Sequence, residues 1–229
     1  MAKILVADDE QLIRKLISDC LTKEGHQVLE AEDGLEGLSI FRNNKDINLC
    51  ILDIMMPEID GWELCRKIRE TSGVPIMLVS ARSQDFDQIM GFESGADDYV
   101  TKPFSLAILS KRVKTLLQRG AVQNPTNPEA TKIIVIDDLT FDEGSYEVRY
   151  NGKQIDFTAK EFEIIKIFIN NPGRVYSREN IVKLIWDEDF DGMARTVDSH
   201  IARIRTKLGD WGAKHLVTVY GAGYKLEDK

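Results

Sequence analysis

The sequence predicts an α/β chain in two parts. A doubly wound five-stranded parallel sheet is expected over residues 1–119, a linker over 120–131, and a smaller α+β domain over 132–229. Three observations predict this. Short apolar runs alternate with stretches of helical period through the first half. The segment GAVQNPTNPEAT then brings two prolines, two asparagines and no periodicity, the composition of a linker. Beyond it the pattern changes to short strands, hairpin turns and three helical stretches.

In order, KILVA reads as the first strand. EQLIRKLISDCLTKEG follows as a helix with Leu12, Ile13, Leu16, Ile17, Cys20 and Leu21 on one face and Gly25 as its stop. QVLEA, INLCIL, PIMLVS and DYV read as further strands. GLEGLSIFRNN, GWELCRKIRE, FDQIMGFESG and SLAILSKRVKTLLQR read as the helices between and after them. Strands that are apolar throughout suit a parallel sheet covered on both faces. After the linker, IIVIDDLTF, YEVRYNGKQI and LVTVYGAGYKLE read as strands and hairpins, the second turning at Asn151-Gly152. Thr158 and Glu161 have the spacing of a capping box ahead of AKEFEIIKIFINN.

Composition narrows the function classes. No apolar run approaches a membrane span, so no membrane partner is expected. The apolar run before Asp8 is too short for a secretory h-region, so the default compartment is cytoplasmic. Cys20, Cys50 and Cys65 form no Cys-x-x-Cys pair and read as small core residues. His26, His200 and His215 have no zinc-ligand spacing. The net charge of −8 argues against nucleic-acid binding by the chain as a whole, although a field is local.

In open α/β sheets ligands bind beyond the carboxyl ends of the strands. The first strand delivers Asp8 and Asp9 there, the third Asp53, the fourth Ser80, and Lys102 follows the fifth. Singly, each has a plain reading as a helix cap, a turn residue or a surface lysine; their conjunction at successive strand ends does not. Crowded carboxylates repel, and a hard cation such as Mg²⁺ would relieve them while keeping several of its waters. Such a site could accept a phosphoryl group on Asp53, with Lys102 adding positive charge and Ser80 a hydrogen bond.

The motifs VADDE, LDIMMPEIDGWEL, PIMLVSAR and GADDYVTKPF occur in order, and with them residues 1–119 resemble the receiver domain of bacterial two-component response regulators. The resemblance implies a flavodoxin-like fold and phosphoryl transfer to Asp53 from a sensor histidine kinase. It implies Mg²⁺ held by Asp9, Asp53 and the Met55 carbonyl, with Asp8 acting largely through water. It makes Ser80 and Tyr99 a switch pair, Lys102 and Ser80 catalytic in the protein's own phosphorylation and dephosphorylation, and Met55 and Arg82 positions that tune the latter rate. It implies no enzyme activity on other substrates.

In the second half, ARTVDSHIARIRTKLG sets Val197, Ile201, Ile204 and Leu208 on one helical face. Arg195, Thr196, Ser199, His200, Arg203 and Lys207 lie mostly off it. Four Arg/Lys against one acid, from Arg195 to Lys207, make this stretch locally basic in an acidic chain, which suits a major groove. From about residue 132 onward the chain resembles the winged-helix effector domain of the OmpR/PhoB subfamily. That resemblance makes 194–208 the recognition helix, Gly221 to Gly223 the wing, and 186–192 a contact with RNA polymerase, against the plain reading of a solvated acidic turn. Tyr220 stands where the family often has an arginine. A homodimer formed on phosphorylation would use the face of the fourth helix, fifth strand and fifth helix. Gln88 and Ile108 fall there in place of a usual ion pair, with Asp97 or Asp98 and Arg112 as a remaining one.

Two other functions fit the sequence less well. A DNA-binding protein with a phosphate-independent dimerisation module would be signalled by loss of the acidic pair, the lysine or the hydroxyl, and all are present. A phosphatase on the same fold would need a second acid in an Asp-x-Asp arrangement, but Ile54 and Met55 follow Asp53.

Overall fold

A computed structural model of the chain describes residues 1–81, 95–120, 133–186, 194 and 196–227. They form two compact units, the first built on residues 1–120.

The first unit comprises β1 (Lys3–Ala7), α1 (Gln11–Lys23), β2 (Gln27–Ala31), α2 (Gly34–Asn43), β3 (Leu49–Asp53), α3 (Gly61–Arg69), β4 (Ile76–Ser80), β5 (Asp98–Thr101) and α4 (Leu106–Gly120). The strands pair in parallel in the order β2-β1-β3-β4-β5. This is the expected doubly wound sheet, and its order reverses between β1 and β3. Alternation along each strand supplies both faces. Ile4, Val6, Leu49 and Ile51 pack with Ile17 and Leu21 of α1 and with Leu109, Val113 and Leu116 of α4. Leu5, Ala7, Cys50 and Leu52 are just as buried on the opposite face, where α2 and α3 lie against each other. Asp33 and Asp60 cap α2 and α3 by accepting from the Glu36 and Glu63 amides. Gly61 begins α3 so close to β3 that a Cβ there would lie 2.2 Å from the Asp53 carbonyl oxygen.

One expectation for this unit is corrected. The buried face of α1 centres on Ile17 and Leu21, whereas Leu12 and Leu16 are exposed at 85% and 47%. The apolar stripe is wider than the strip of sheet it covers. Cys50 and Cys65 are buried, but Cys20 is only half-buried. Apart from Gly95, the helix expected over FDQIMGFESG lies outside the described residues.

The second unit opens with an antiparallel sheet of β6 (Ile133–Ile136), β7 (Leu139–Asp142), β8 (Glu147–Tyr150) and β9 (Lys153–Gln154). Asn151 and Gly152 both take positive φ in the tight turn between β8 and β9. Among the described residues three helices follow: α5 (Ala159–Ile169), α6 (Arg178–Ile185) and α7 (Thr196–His215). The Thr158–Glu161 capping box is formed in both directions at the start of α5. The hairpin β10 (Leu216–Val219) and β11 (Gly223–Leu226) ends the fold. Helix α7 runs past the expected end of its apolar period, with a break at Gly209, where φ is +53°. Phe162, Ile165 and Phe168 of α5, Ile181 of α6, and Val197, Ile201 and Ile204 of α7 form its core with Phe141 and Leu226. No helix among the described residues is long and apolar enough to cross a membrane.

Candidate functional site

The carboxyl ends of β1, β3 and β4, with the loop after β5, meet at the point where strand order reverses. Asp8 and Asp53 are 1% and 3% exposed there, and Ser80 is fully buried. The Lys102 ammonium sits among three carboxylates, 2.8 Å from Asp53 Oδ1, 3.0 Å from Asp8 Oδ2 and 2.9 Å from Glu10 Oε1. Its own amide donates to the Ser80 carbonyl, which fixes the start of the Lys102-Pro103 loop against β4. The Met55 amide donates to Asp53 Oδ2 at 2.6 Å, and the Glu10 amide to Asp8 Oδ1 at 2.9 Å. Glu10, which adjoins the acidic pair, was not among the expected site residues.

Burial pushes the Asp8 and Asp53 carboxyls above the ordinary aspartate value, against the opposing pull of Lys102. Asp9 adds its repulsion to Asp53. Burial also disfavours the charge on Lys102, but the three carboxylates outweigh it and hold its pKa above the usual lysine value. The pocket thus carries more negative charge than one ammonium neutralises. Asp8 Oδ2 lies near that ammonium yet outside hydrogen-bond geometry, a buried acceptor that a second cation would satisfy. Hard oxygen donors in this state fit Mg²⁺. Asp9 is exposed, and no three acidic, cysteine or histidine side chains among the described residues close into a ready-made metal cage.

Tyr99 is 4% exposed. Leu78 pairs with Tyr99 and Ser80 with Thr101, so Ser80 and Tyr99 share one face of the sheet as diagonal neighbours. Arg112 and Asp98 form a buried ion pair at 2.8 Å within the same chain. Asp97 lies away from the surface expected for it. It is fully buried, held by Arg69 at 2.5 Å and by the Ile76 amide at 2.9 Å. Ile108 on α4 is 43% exposed. Gln88 and Arg82 lie outside the described residues.

In the second unit the basic helix is placed differently from the sequence expectation. Glu161, fully buried at the start of α5, takes Arg203 on one oxygen at 3.2 Å and Lys207 on the other at 2.7 Å. Lys207 also donates to the Asp156 carbonyl, and an Arg203 nitrogen lies 2.9 Å from His200 Nδ1. The two cations therefore tie α7 to α5. His200 is buried beside the Trp186 ring and Thr196 is 1% exposed, so neither side chain is presented to solvent. Ser199 is half-buried, Ala202 and Thr206 are exposed, and Arg195 lies outside the described residues.

Tyr220 stands 95% exposed at the tip of the β10–β11 hairpin. That hairpin is anchored by Tyr224, whose hydroxyl donates to Asp198 at 2.6 Å and whose ring centre lies 5.1 Å from the Arg178 guanidinium and 5.7 Å from that of Arg205. Arg178 pairs with the same Asp198 oxygen, and Asp198 lifts the Arg178 pKa. Burial and then Asp198 push the Tyr224 phenol up to about 12.

Residues 4–114 match the family model described as a response regulator receiver domain, and 152–226 match that of a transcriptional regulatory protein, C terminal. The transcriptional regulatory protein ResD of Bacillus subtilis (strain 168) is 39% identical over 98% of this chain and 95% of its own. The chain is a response regulator of the OmpR/PhoB subfamily. A crystal structure of the regulator DrrB, an OmpR/PhoB homolog from Thermotoga maritima, is 35% identical over 99% of both chains, with a TM-score of 0.49. A RitR mutant is 21% identical over all of both chains with a TM-score of 0.72, a likeness of fold. In this response regulator the first unit is the receiver and the second the transcriptional effector.

Proposed function

We propose that this response regulator takes a phosphoryl group on Asp53 from a phosphohistidine of a sensor kinase. A carboxylate oxygen would form the new O–P bond as the P–N bond to the kinase imidazole breaks. The observation that carries this is the Lys102 ammonium, within 3.0 Å of both Asp53 and Asp8 at the sheet's switch point. It offers a positive charge to the incoming phosphoryl oxygens, and the Met55 amide orients the accepting carboxylate. Asp8, Asp9, Asp53 and the Met55 carbonyl supply the donors for Mg²⁺, which would balance the added negative charge. Ser80, at the end of β4, would hydrogen-bond the phosphoryl group, and Tyr99 would follow it as the switch. The chemistry is confined to the protein's own phosphorylation and dephosphorylation.

The phosphorylated receiver would form a homodimer through the face that carries Ile108 and deliver two effector units to promoter DNA. There α7 would enter the major groove while Tyr220 approaches the backbone. Residues 186–192, of which 187–192 lie outside the described residues, are the candidate contact with RNA polymerase. The test of the acceptor is labelling by acetyl phosphate with Mg²⁺. Asp53→Asn is expected to abolish it, and persistent labelling would move the acceptor elsewhere.

A further inference from the structure

The reading of α7 as the groove-entering helix leaves open what it reads there. Between Thr196 and Leu208 its buried positions are Thr196, Val197, His200, Ile201, Ile204 and Leu208. Its long polar side chains are engaged within the fold. Arg203 and Lys207 hold Glu161, Arg205 donates to the Leu216 carbonyl and the Thr218 hydroxyl, and Asp198 is taken by Arg178 and Tyr224. The exposed positions of α7 over this span are Ala202 and Thr206, four residues apart on one face, with the half-buried Ser199 one turn before Ala202.

Thr206 has a further property. Its hydroxyl donates back to the Ala202 carbonyl at 3.0 Å. The oxygen is thereby turned onto the helix and the γ-methyl is left facing out. Ala202 contributes a second methyl. In the major groove, guanine, cytosine and adenine show donors and acceptors, and only thymine shows a methyl group, which Ala and Thr methyls contact. Because both side chains are short, the helix backbone can also come close to the base edges.

We infer that Ala202 and Thr206 are specificity-determining residues that read thymine C5-methyl groups in the operator half-site. The inference rests on the DNA-binding reading of the effector unit. Phosphate contacts and any reading by neighbouring segments would add to it.

The test uses the full-length protein and a duplex pool with a randomised core. Enriched sites are resynthesised with each thymine replaced in turn by deoxyuridine, which removes only the methyl. At least one thymine per half-site is expected to lose affinity roughly fourfold, the worth of one buried methyl. Thr206→Ser keeps the back-donated hydroxyl and removes the methyl. It should show the same loss on thymine DNA and no further loss once deoxyuridine stands at that position. Thr206→Val, which keeps the methyl without the hydroxyl, should retain the affinity. The inference is overturned if sites enrich but every thymine tolerates deoxyuridine, if the Thr206→Ser and deoxyuridine losses multiply, or if Thr206→Val loses affinity as Thr206→Ser does. If no sequence enriches, the DNA-binding reading itself falls and takes the inference with it.

Discussion

Asp53 illustrates how a functional residue is held at a cost to the fold. Its carboxyl is buried, shares one ammonium with two other acids and has its pKa pushed up by that burial. An acid whose pKa is raised on folding binds its proton more tightly in the native state. Stability therefore falls as pH rises from the ordinary carboxylate value through the raised one, and the full cost is present above it. Asp53→Asn removes that cost. At neutral pH without divalent cations, the receiver of the variant should melt higher by about 4 °C, the size expected for roughly 1 kcal/mol in a domain of this length. The gap should close as pH falls toward the ordinary aspartate range. Mg²⁺ should raise the melting temperature of the native protein more than that of the variant. Calorimetry across pH checks this, and a lower melting temperature for the variant at neutral pH would mean that Lys102 attraction outweighs burial.

At the scale of elements, the wing depends on one glycine. Gly223 begins β11 with φ of +127°, and a Cβ there would stand 2.0 Å from the Tyr176 carbonyl oxygen. Tyr176 and Tyr224 exchange backbone hydrogen bonds at 2.8 and 3.0 Å at that point, joining the hairpin to the segment before α6. Gly223→Ala forces the two backbones apart and strains φ, so it should destabilise the effector by about 3 kcal/mol. A thermal melt of the full chain should show the effector transition shifted and the receiver transition in place. The sheet and its strand-end residues were legible because apolar runs mark buried strands and their ends mark the pocket. The polar face of α7 was less so. A basic helix looks the same in sequence whether its cations face solvent or a buried acid, and Glu161 lies 42 residues from Arg203. Likewise His200 reads as a polar contact until Trp186 is seen beside it. Asp97 reads as a surface charge until Arg69, from the end of α3, is found on it.

For the whole molecule, the proposed function requires that the event in the pocket alter the assembly of the receiver surface. The phosphoryl group need only favour one receiver state, and a preference of about 2–3 kcal/mol changes the ratio of states by tens of fold. The Asp98–Arg112 pair is already satisfied inside the chain, so the surface expected to pair two receivers has one charged contact fewer than the sequence alone suggests. Ile108 is 43% exposed on α4 and would be the apolar contact on that face. In a two-fold dimer the same residue comes from both copies. Ile108→Glu would place a carboxylate on each side in place of apolar area, and a loss of at least about tenfold in dimer affinity is expected, equivalent to roughly 1.4 kcal/mol. Light scattering with beryllofluoride and Mg²⁺ measures this directly. Acetyl phosphate labelling should be unchanged, because Ile108 is no part of the pocket. Full dimerisation by the variant would show that the receivers pair through a different surface.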